Sequence, residues 1–131
     1  EHTFRSEQIA KWLKELQAQE EADAANLKIL LVGGKTKDEA NLYIMTLAPK
    51  FLSKKAYTQG VHTITRAYER FLPQAKTLNM LPSYLFFKEA QSANSHDCLL
   101  LDRNGHILEG TRSNFFVIKD KELFTAPLDR V

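Results

Sequence analysis

Apolar residues recur at helical spacing near the start of the chain. Ile9, Trp12, Leu13 and Leu16 follow Ser6, a good N-cap residue, with Glu7 and Gln8 in the first turn, and this pattern predicts a helix from Ser6 to Ala24. Trp12 lies on the same stripe as the aliphatics and reads as a core anchor rather than a binding residue. Leu27 to Val32 is then a short apolar run stopped by Gly33-Gly34, and Asn41 to Leu47 is a second run rich in β-formers, so the two are expected to pair as antiparallel strands. Ala48-Pro49-Lys50 breaks the second run. The polar, lysine-rich stretch to Gly60 reads as a linker, with a domain boundary near residue 50.

Beyond it, Val61 to Ala67 alternates Val61, Thr63, Thr65 and Ala67 against His62, Ile64 and Arg66, the pattern of a strand. Leu81, Leu85, Phe86 and Ala90 share one face of a helix predicted from Leu81 to about Asn94, with Pro82 in its tolerant first turn. Short strands follow at Cys98 to Leu101, Ile107-Leu108, Phe115 to Ile118 and Leu123 to Thr125. Turns fall at Asp102-Arg103-Asn104-Gly105 and Lys119-Asp120-Lys121, and Asn104-Gly105 between apolar runs is a strong hairpin signal. The pairs Phe86-Phe87 and Phe115-Phe116 are expected in the core. Helices and strands in this order predict an α+β chain.

Composition narrows the function. With 44% hydrophobic and 26% charged residues the chain has the make-up of a globular protein. Its 18 Lys+Arg and 16 Asp+Glu are scattered and leave a formal charge of +2, which gives no footprint for nucleic acid or a membrane surface. No apolar run approaches the roughly 18 residues of a membrane span, and Glu1-His2-Thr3 carries no signal-peptide pattern, so a cytoplasmic protein is expected. One cysteine, Cys98, excludes an internal disulfide and reads as a buried, inert thiol. His2, His62, His96 and His106 lack metal-ligand spacing, so no metal is expected. Gly33-Gly34-Lys35-Thr36 suggests a phosphate loop, but that pattern needs glycine where Ile29 stands, and the suggestion fails.

Two residues invite chemistry. Lys76 lies on an irregular stretch before a helix, and Glu109 precedes Gly110 between strands. A desolvated lysine can form a Schiff base with a carbonyl, and a carboxylate can keep a pyridine nitrogen protonated. On composition and spacing alone, a solvated surface lysine and a strand-end carboxylate are the simpler readings.

Their context changes the balance. The stretch Ala75-Lys76-Thr77-Leu78-Asn79-Met80-Leu81-Pro82-Ser83, followed by Leu99-Leu100-Leu101-Asp102 and by Gly105-His106-Ile107-Leu108-Glu109-Gly110-Thr111-Arg112-Ser113-Asn114-Phe115-Phe116, closely resembles the class IV aminotransferases. That family includes branched-chain and D-amino-acid aminotransferases and aminodeoxychorismate lyase. The spacing of 33 residues between Lys76 and Glu109 is similar to the family's, and Thr125-Ala126-Pro127 resembles its Thr-x-Pro strand end. The resemblance is clear from about Leu72 onward and rests on element order before residue 60.

The resemblance implies a fold-type IV enzyme using pyridoxal 5'-phosphate. Residues 1–49 would be the C-terminal part of its small α/β domain, and 50–131 the N-terminal part of its large cofactor-binding domain, the first half of a pseudo-barrel. Lys76 would be the Schiff-base lysine and proton shuttle, and Glu109 would meet the ring nitrogen. Thr111, Arg112 and Ser113 would line one ring face and contact the cofactor or a substrate carboxylate, while Asn79 would brace the lysine loop. For Arg112, a turn arginine facing solvent is an equal reading. The activity implied is transfer of an amino group from an amino acid, branched-chain ones among them, to a 2-oxo acid, by a homodimer. The lyase branch and an inert fragment are the rivals.

Two departures stand out. Many relatives place tyrosine near Met80, and a methionine cannot donate that hydrogen bond. The family's N-terminal phosphate-binding arginine and its Gly-[Ile/Val]-Thr-Arg segment are not in this sequence, so an internal fragment, inactive by itself, is expected.

Overall fold

A computed structural model describes residues 4–19 and 24–131. The chain divides into two compact units, Glu1–Leu52 and Ser53–Val131.

In the first unit, helix α1 covers Ser6–Gln19. Residues 20–23, part of the expected helix, lie outside the described residues, and Ala24 is not helical. Ile9, Trp12, Leu13 and Leu16 are half-buried, as their spacing predicts, and Trp12 meets Phe4 edge-on at 6.1 Å. Strands β1 (Asn26–Val32) and β2 (Asn41–Leu47) pair antiparallel over all seven positions. Leu42, Ile44 and Thr46 alternate half-buried with exposed neighbours, and Leu42 and Ile44 share a small cavity with Trp12 and Leu16. Thus the apolar stripe of α1 faces the apolar side of β2. The glycine loop is no phosphate cradle, because the Lys35 amide already donates to Glu39 Oε2 at 2.8 Å. A Cβ on Gly34 would come within 2.9 Å of the Glu39 carbonyl carbon, so only glycine fits there.

The second unit opens with a correction. The stretch expected to be a linker contains helix α2 (Lys54–Gln59), whose N-cap Ser53 accepts from the Ala56 amide and which ends at left-handed Gly60. Being one and a half turns of polar residues, α2 has no apolar stripe for periodicity to detect. Strand β3 (Thr63–Ala67), helix α3 (Leu81–Ser92) and strand β4 (Asp97–Leu101) form a β-α-β unit with β3 and β4 parallel. Strand β5 (Ile107–Gly110) adds antiparallel to β4. Ala90 of α3 packs on Cys98 and Leu100 of β4, and Ile64, Tyr68 and Phe86 close over them. The Arg66–Glu89 ion pair ties β3 to α3.

The β4–β5 turn runs through Gly105 at φ 82°, with Asp102 Oδ1 accepting from the amides of Asn104 and His106. Strands β6 (Phe116–Lys119) and β7 (Glu122–Thr125) make a separate hairpin, whose turn residues Asp120 and Lys121 are both left-handed. Phe116 does not enter the core: it is exposed, whereas Phe86, Phe87 and Phe115 are half-buried. Cys98 is a buried free thiol, and burial pushes its pKa up. No helix among the described residues is long and apolar enough to cross a membrane.

Candidate active site

The site grows from the end of β5. After Glu109 and Gly110 the chain reverses through Thr111-Arg112-Ser113, closed by the Gly110 amide donating to the Ser113 carbonyl at 2.8 Å and by a bridge between Glu109 and Asn114. Beneath this turn lies Asp97, a buried carboxylate at the first position of β4. It accepts from Thr111 Oγ1, from Ser113 Oγ at 2.8 Å and from the Cys98 amide at 2.8 Å. Burial alone would raise the Asp97 pKa, but the hydrogen bonds from Thr111, Ser113 and the two backbone amides outweigh it and hold the carboxyl below its usual range. A Cβ on Gly110 would stand 2.6 Å from Asp97 Oδ2, so the turn needs glycine for lack of room.

Glu109 has a side chain only 12% exposed, and its charge is met by Arg70, whose Nη2 lies 3.0 Å from Oε1 and 3.2 Å from Oε2. Arg70, Met80, Glu109 and the turn from Gly110 to Asn114 line an open cavity of about 190 Å³. Dry cavities of roughly 150 Å³ accept a benzene molecule, so this one suits a single aromatic ring. Arg112 stands at its rim with Cζ 3.6 Å from the centroid of the Phe87 ring. Between Arg70 and Met80 the chain passes through a tight turn, Pro73–Ala75, bracketed by two non-glycine residues in the left-handed region, Leu72 at φ 49° and Lys76 at φ 43°. Such residues cost on the order of 1–3 kcal/mol each and gather at functional sites.

A larger cavity, about 670 Å³, lies among Ile107, Leu108, Phe115, Val117, Phe124 and Pro127. Its charged groups are engaged with one another, Asp102 with His106 and Arg130, so it offers no free reactive side chain.

The family model for amino-transferase class IV matches residues 1–131. The chain belongs to the class IV aminotransferase family. Class IV aminotransferases are pyridoxal-phosphate enzymes. This class IV chain is 32% identical over 83 residues to the branched-chain-amino-acid aminotransferase of Escherichia coli (strain K12), covering 59% of this chain and 27% of that enzyme. It is 34% identical over 76 residues to the D-alanine aminotransferase of Bacillus licheniformis, covering 57% of this chain and 26% of that enzyme. Among solved structures, the branched-chain amino acid aminotransferase of Escherichia coli superposes with a TM-score of 0.73 at 23% identity, over 99% of this chain and 48% of that one. The chain therefore spans about a quarter of the relatives it matches in sequence and about half of that solved structure. Its mixed helix-and-sheet architecture is that of the fold-type IV enzymes.

Within this class IV chain, Glu109, Thr111, Arg112 and Ser113 all border the 190 Å³ cavity, and Lys76 does not. Lys76 is exposed, and its amine has no ion-pair or hydrogen-bond partner among the described residues. The segment carrying it reaches the cavity at both flanks, through Arg70 and Met80. Thr111 and Ser113 direct their hydroxyls inward to Asp97, so they offer the cavity backbone rather than free hydroxyls. Asn79 is exposed and makes no hydrogen bond among the described residues; the lysine loop is held instead by the amides of Ala75 and Lys76 donating to the Leu72 and Pro73 carbonyls. Sequence reasoning missed Arg70, Asp97 and Phe87. Arg70 and Asp97 sit where exposed charges are the ordinary expectation, and their partners lie 39 and 16 residues away.

The residues present fit the family's cofactor. A nearly buried carboxylate on the wall of a ring-sized cavity, held in place by an arginine, is an acceptor suited to the N–H of a protonated pyridine.

Proposed function

We propose that this chain carries the cofactor lysine, the ring-nitrogen carboxylate and the ring-face turn of a pyridoxal-phosphate-dependent transaminase, which moves an amino group from an amino acid to a 2-oxo acid. Residues 1–49 belong to its small domain and 50–131 to its large, cofactor-binding domain. The observation that carries the reading is Glu109, desolvated, paired with Arg70 and facing a cavity of about 190 Å³.

When bound, pyridoxal phosphate supplies an electron sink for the pair left on the substrate's α-carbon after proton loss. Glu109 would keep the ring nitrogen protonated, because a nearby carboxylate favours a charged pyridinium. Lys76 would hold the cofactor through its aldehyde carbon and would serve as the general base for the substrate's α-proton. Its freedom from any ion pair among the described residues suits both tasks. The Thr111–Ser113 turn, fixed from below by Asp97, presents backbone and the Arg112 side chain to the ring. Branched-chain amino acids are the first donors to try, given the sequence likeness to the Escherichia coli enzyme. The same reading carries a homodimer in the cytoplasm, the assembly and compartment usual in the family.

Incubation of the full-length protein with pyridoxal 5'-phosphate should give a yellow absorbance that borohydride abolishes, and peptide mapping should then find the label on Lys76. A label on another lysine, or no amino transfer from any amino acid to 2-oxoglutarate, would overturn the proposal.

A further inference from the structure

The chain reaches Lys76 from the end of β3 through Tyr68-Glu69-Arg70, and each of these three residues is tied to a different partner. The Tyr68 amide donates to the Leu101 carbonyl at 2.9 Å, and Arg70 pairs with Glu109. Glu69 is held by two arginines. Its Oε1 accepts from the amide and the Nε of Arg103, both at 3.2 Å, and its Oε2 accepts from Arg130 Nη2 at 3.1 Å. The same Arg130 nitrogen lies 3.4 Å from Oδ2 of buried Asp102, so one guanidinium bridges two carboxylates on separate stretches of chain.

An isolated surface ion pair fixes little, because it is screened and costs side-chain entropy, but charges joined in a network do more. Hydrogen bonds from Arg103, first from its amide and then from its side chain, hold the Glu69 pKa below its usual range, so the clamp is charged at neutral pH. On the far side of Lys76 the chain is fixed again where the Met80 carbonyl accepts from the Tyr84 amide at the start of α3. Between these anchors the hydrogen bonds of residues 71–79 among the described residues are all local, the Ala75, Lys76 and Met80 amides donating to the Leu72, Pro73 and Leu78 carbonyls. The lysine segment is therefore held from its two ends, and Glu69 adjoins the end that carries Arg70.

We propose that Glu69 is a positioning residue for this site: clamped by Arg103 and Arg130, it fixes the entry to the lysine segment and keeps Arg70 against Glu109. The clamp is a property of the chain itself, whereas its effect on a cofactor rests on the transaminase reading. With the clamp cut, Arg70 drifts from Glu109 and neutralises it less, so the site becomes more negative. A more negative site favours the protonated, yellow form of the lysine-bound cofactor.

The first measurement is the pH midpoint at which the bound cofactor loses its yellow absorbance, in the full-length protein and in its Glu69→Gln and Arg130→Gln variants. Both substitutions should raise the midpoint by on the order of half a pH unit, about threefold in proton affinity. The shared direction carries the test. The two substitutions change the net charge in opposite senses, so acting merely at long range they would shift the midpoint in opposite directions. Opposite shifts, or no shift in either variant, overturn the proposal. The second measurement needs no cofactor. Tryptic cleavage after Lys76, followed by mass spectrometry of the first fragments, should be faster by about threefold or more in both variants, because proteolysis tracks the population of the opened segment. Arg66→Gln, which cuts the ion pair between β3 and α3, should be cleaved there at the wild-type rate. Unchanged cleavage in the two clamp variants overturns the proposal, and so does equal acceleration by Arg66→Gln. If no yellow absorbance forms in the wild type, the transaminase reading fails, and the cleavage rates still decide the role of Glu69.

Discussion

Ser113 Oγ donates to Asp97 Oδ2 across 2.8 Å, although sixteen residues separate them, and this bond fastens the turn that follows Glu109 to the start of β4. With the Thr111 hydroxyl on the other oxygen, one buried carboxylate holds two of the five residues proposed to meet the cofactor.

Replacing that charge should be costly. Asp97→Asn keeps the shape but turns an acceptor-only group into one that also presents donors to two hydroxyls and an amide. A loss of about 1.5–3 kcal/mol is expected from hydrogen bonds to a charged, buried group. Urea unfolding of the two proteins checks it, and equal midpoints would refute it.

The same residue sets an acid dependence. Its folded pKa lies below its unfolded one, so the stability it contributes is complete above the unfolded value of about 3.9 and drains away as pH falls toward the folded value. Unfolding midpoints measured from neutral pH down through that window should fall more steeply for wild type than for Asp97→Asn. Parallel curves would assign the acid sensitivity to other carboxylates.

Gly110→Ala should be nearly as damaging as the loss of Asp97. The new methyl would press on a buried carboxylate that cannot move without breaking its own bonds, and overpacking of this kind typically costs about 1–3 kcal/mol. The readout is again the unfolding midpoint, together with retention of the Lys76 label, which should drop as the turn is displaced.

Arg70 and Glu109 should behave as a coupled pair. A double-mutant cycle built from Arg70→Met and Glu109→Gln is expected to return a coupling of about 1–3 kcal/mol, because both side chains are largely removed from water. A coupling near zero would mean that the lysine-bearing segment and β5 are joined by something else.

Lys76→Gly separates stability from chemistry. The backbone there is left-handed, which glycine adopts freely and lysine only at a cost, so the variant should gain about 0.5–1 kcal/mol while losing all borohydride-trapped cofactor. A destabilised variant would mean the lysine side chain packs in a way its exposure does not suggest.

The parts of the fold legible in the sequence are those specified locally. The β1–β2 pair follows from two β-rich runs joined by a short polar loop, and the β4–β5 hairpin from Asn104-Gly105, because turn chemistry and alternation act over a few residues. Helix α2 is hidden by its polar composition, and only Ser53 hints at it. Phe116 reads as core because an aromatic in a strand usually is, but β6 pairs only with β7 in a two-stranded sheet and leaves it exposed. At the site, family motifs mark Lys76 and Glu109, whereas Arg70 and Asp97 are defined by partners distant in sequence and have no local signature. Lys76 does not line the cavity, and the tight turn before it is bracketed by two left-handed residues, Leu72 and Lys76, neither of a type that announces that conformation.

The seclusion of Cys98 makes this chain its own blank for thiol reagents. Its sulfur is fully buried and its ionisation is suppressed, so alkylating agents should pass over the native protein. In Lys76→Cys the introduced thiol would then be the sole reactive one among these 131 residues, and treatment with bromoethylamine would rebuild an amine at that position with sulfur in place of a methylene. Whether cofactor capture returns along with the amine could be read on an otherwise silent background.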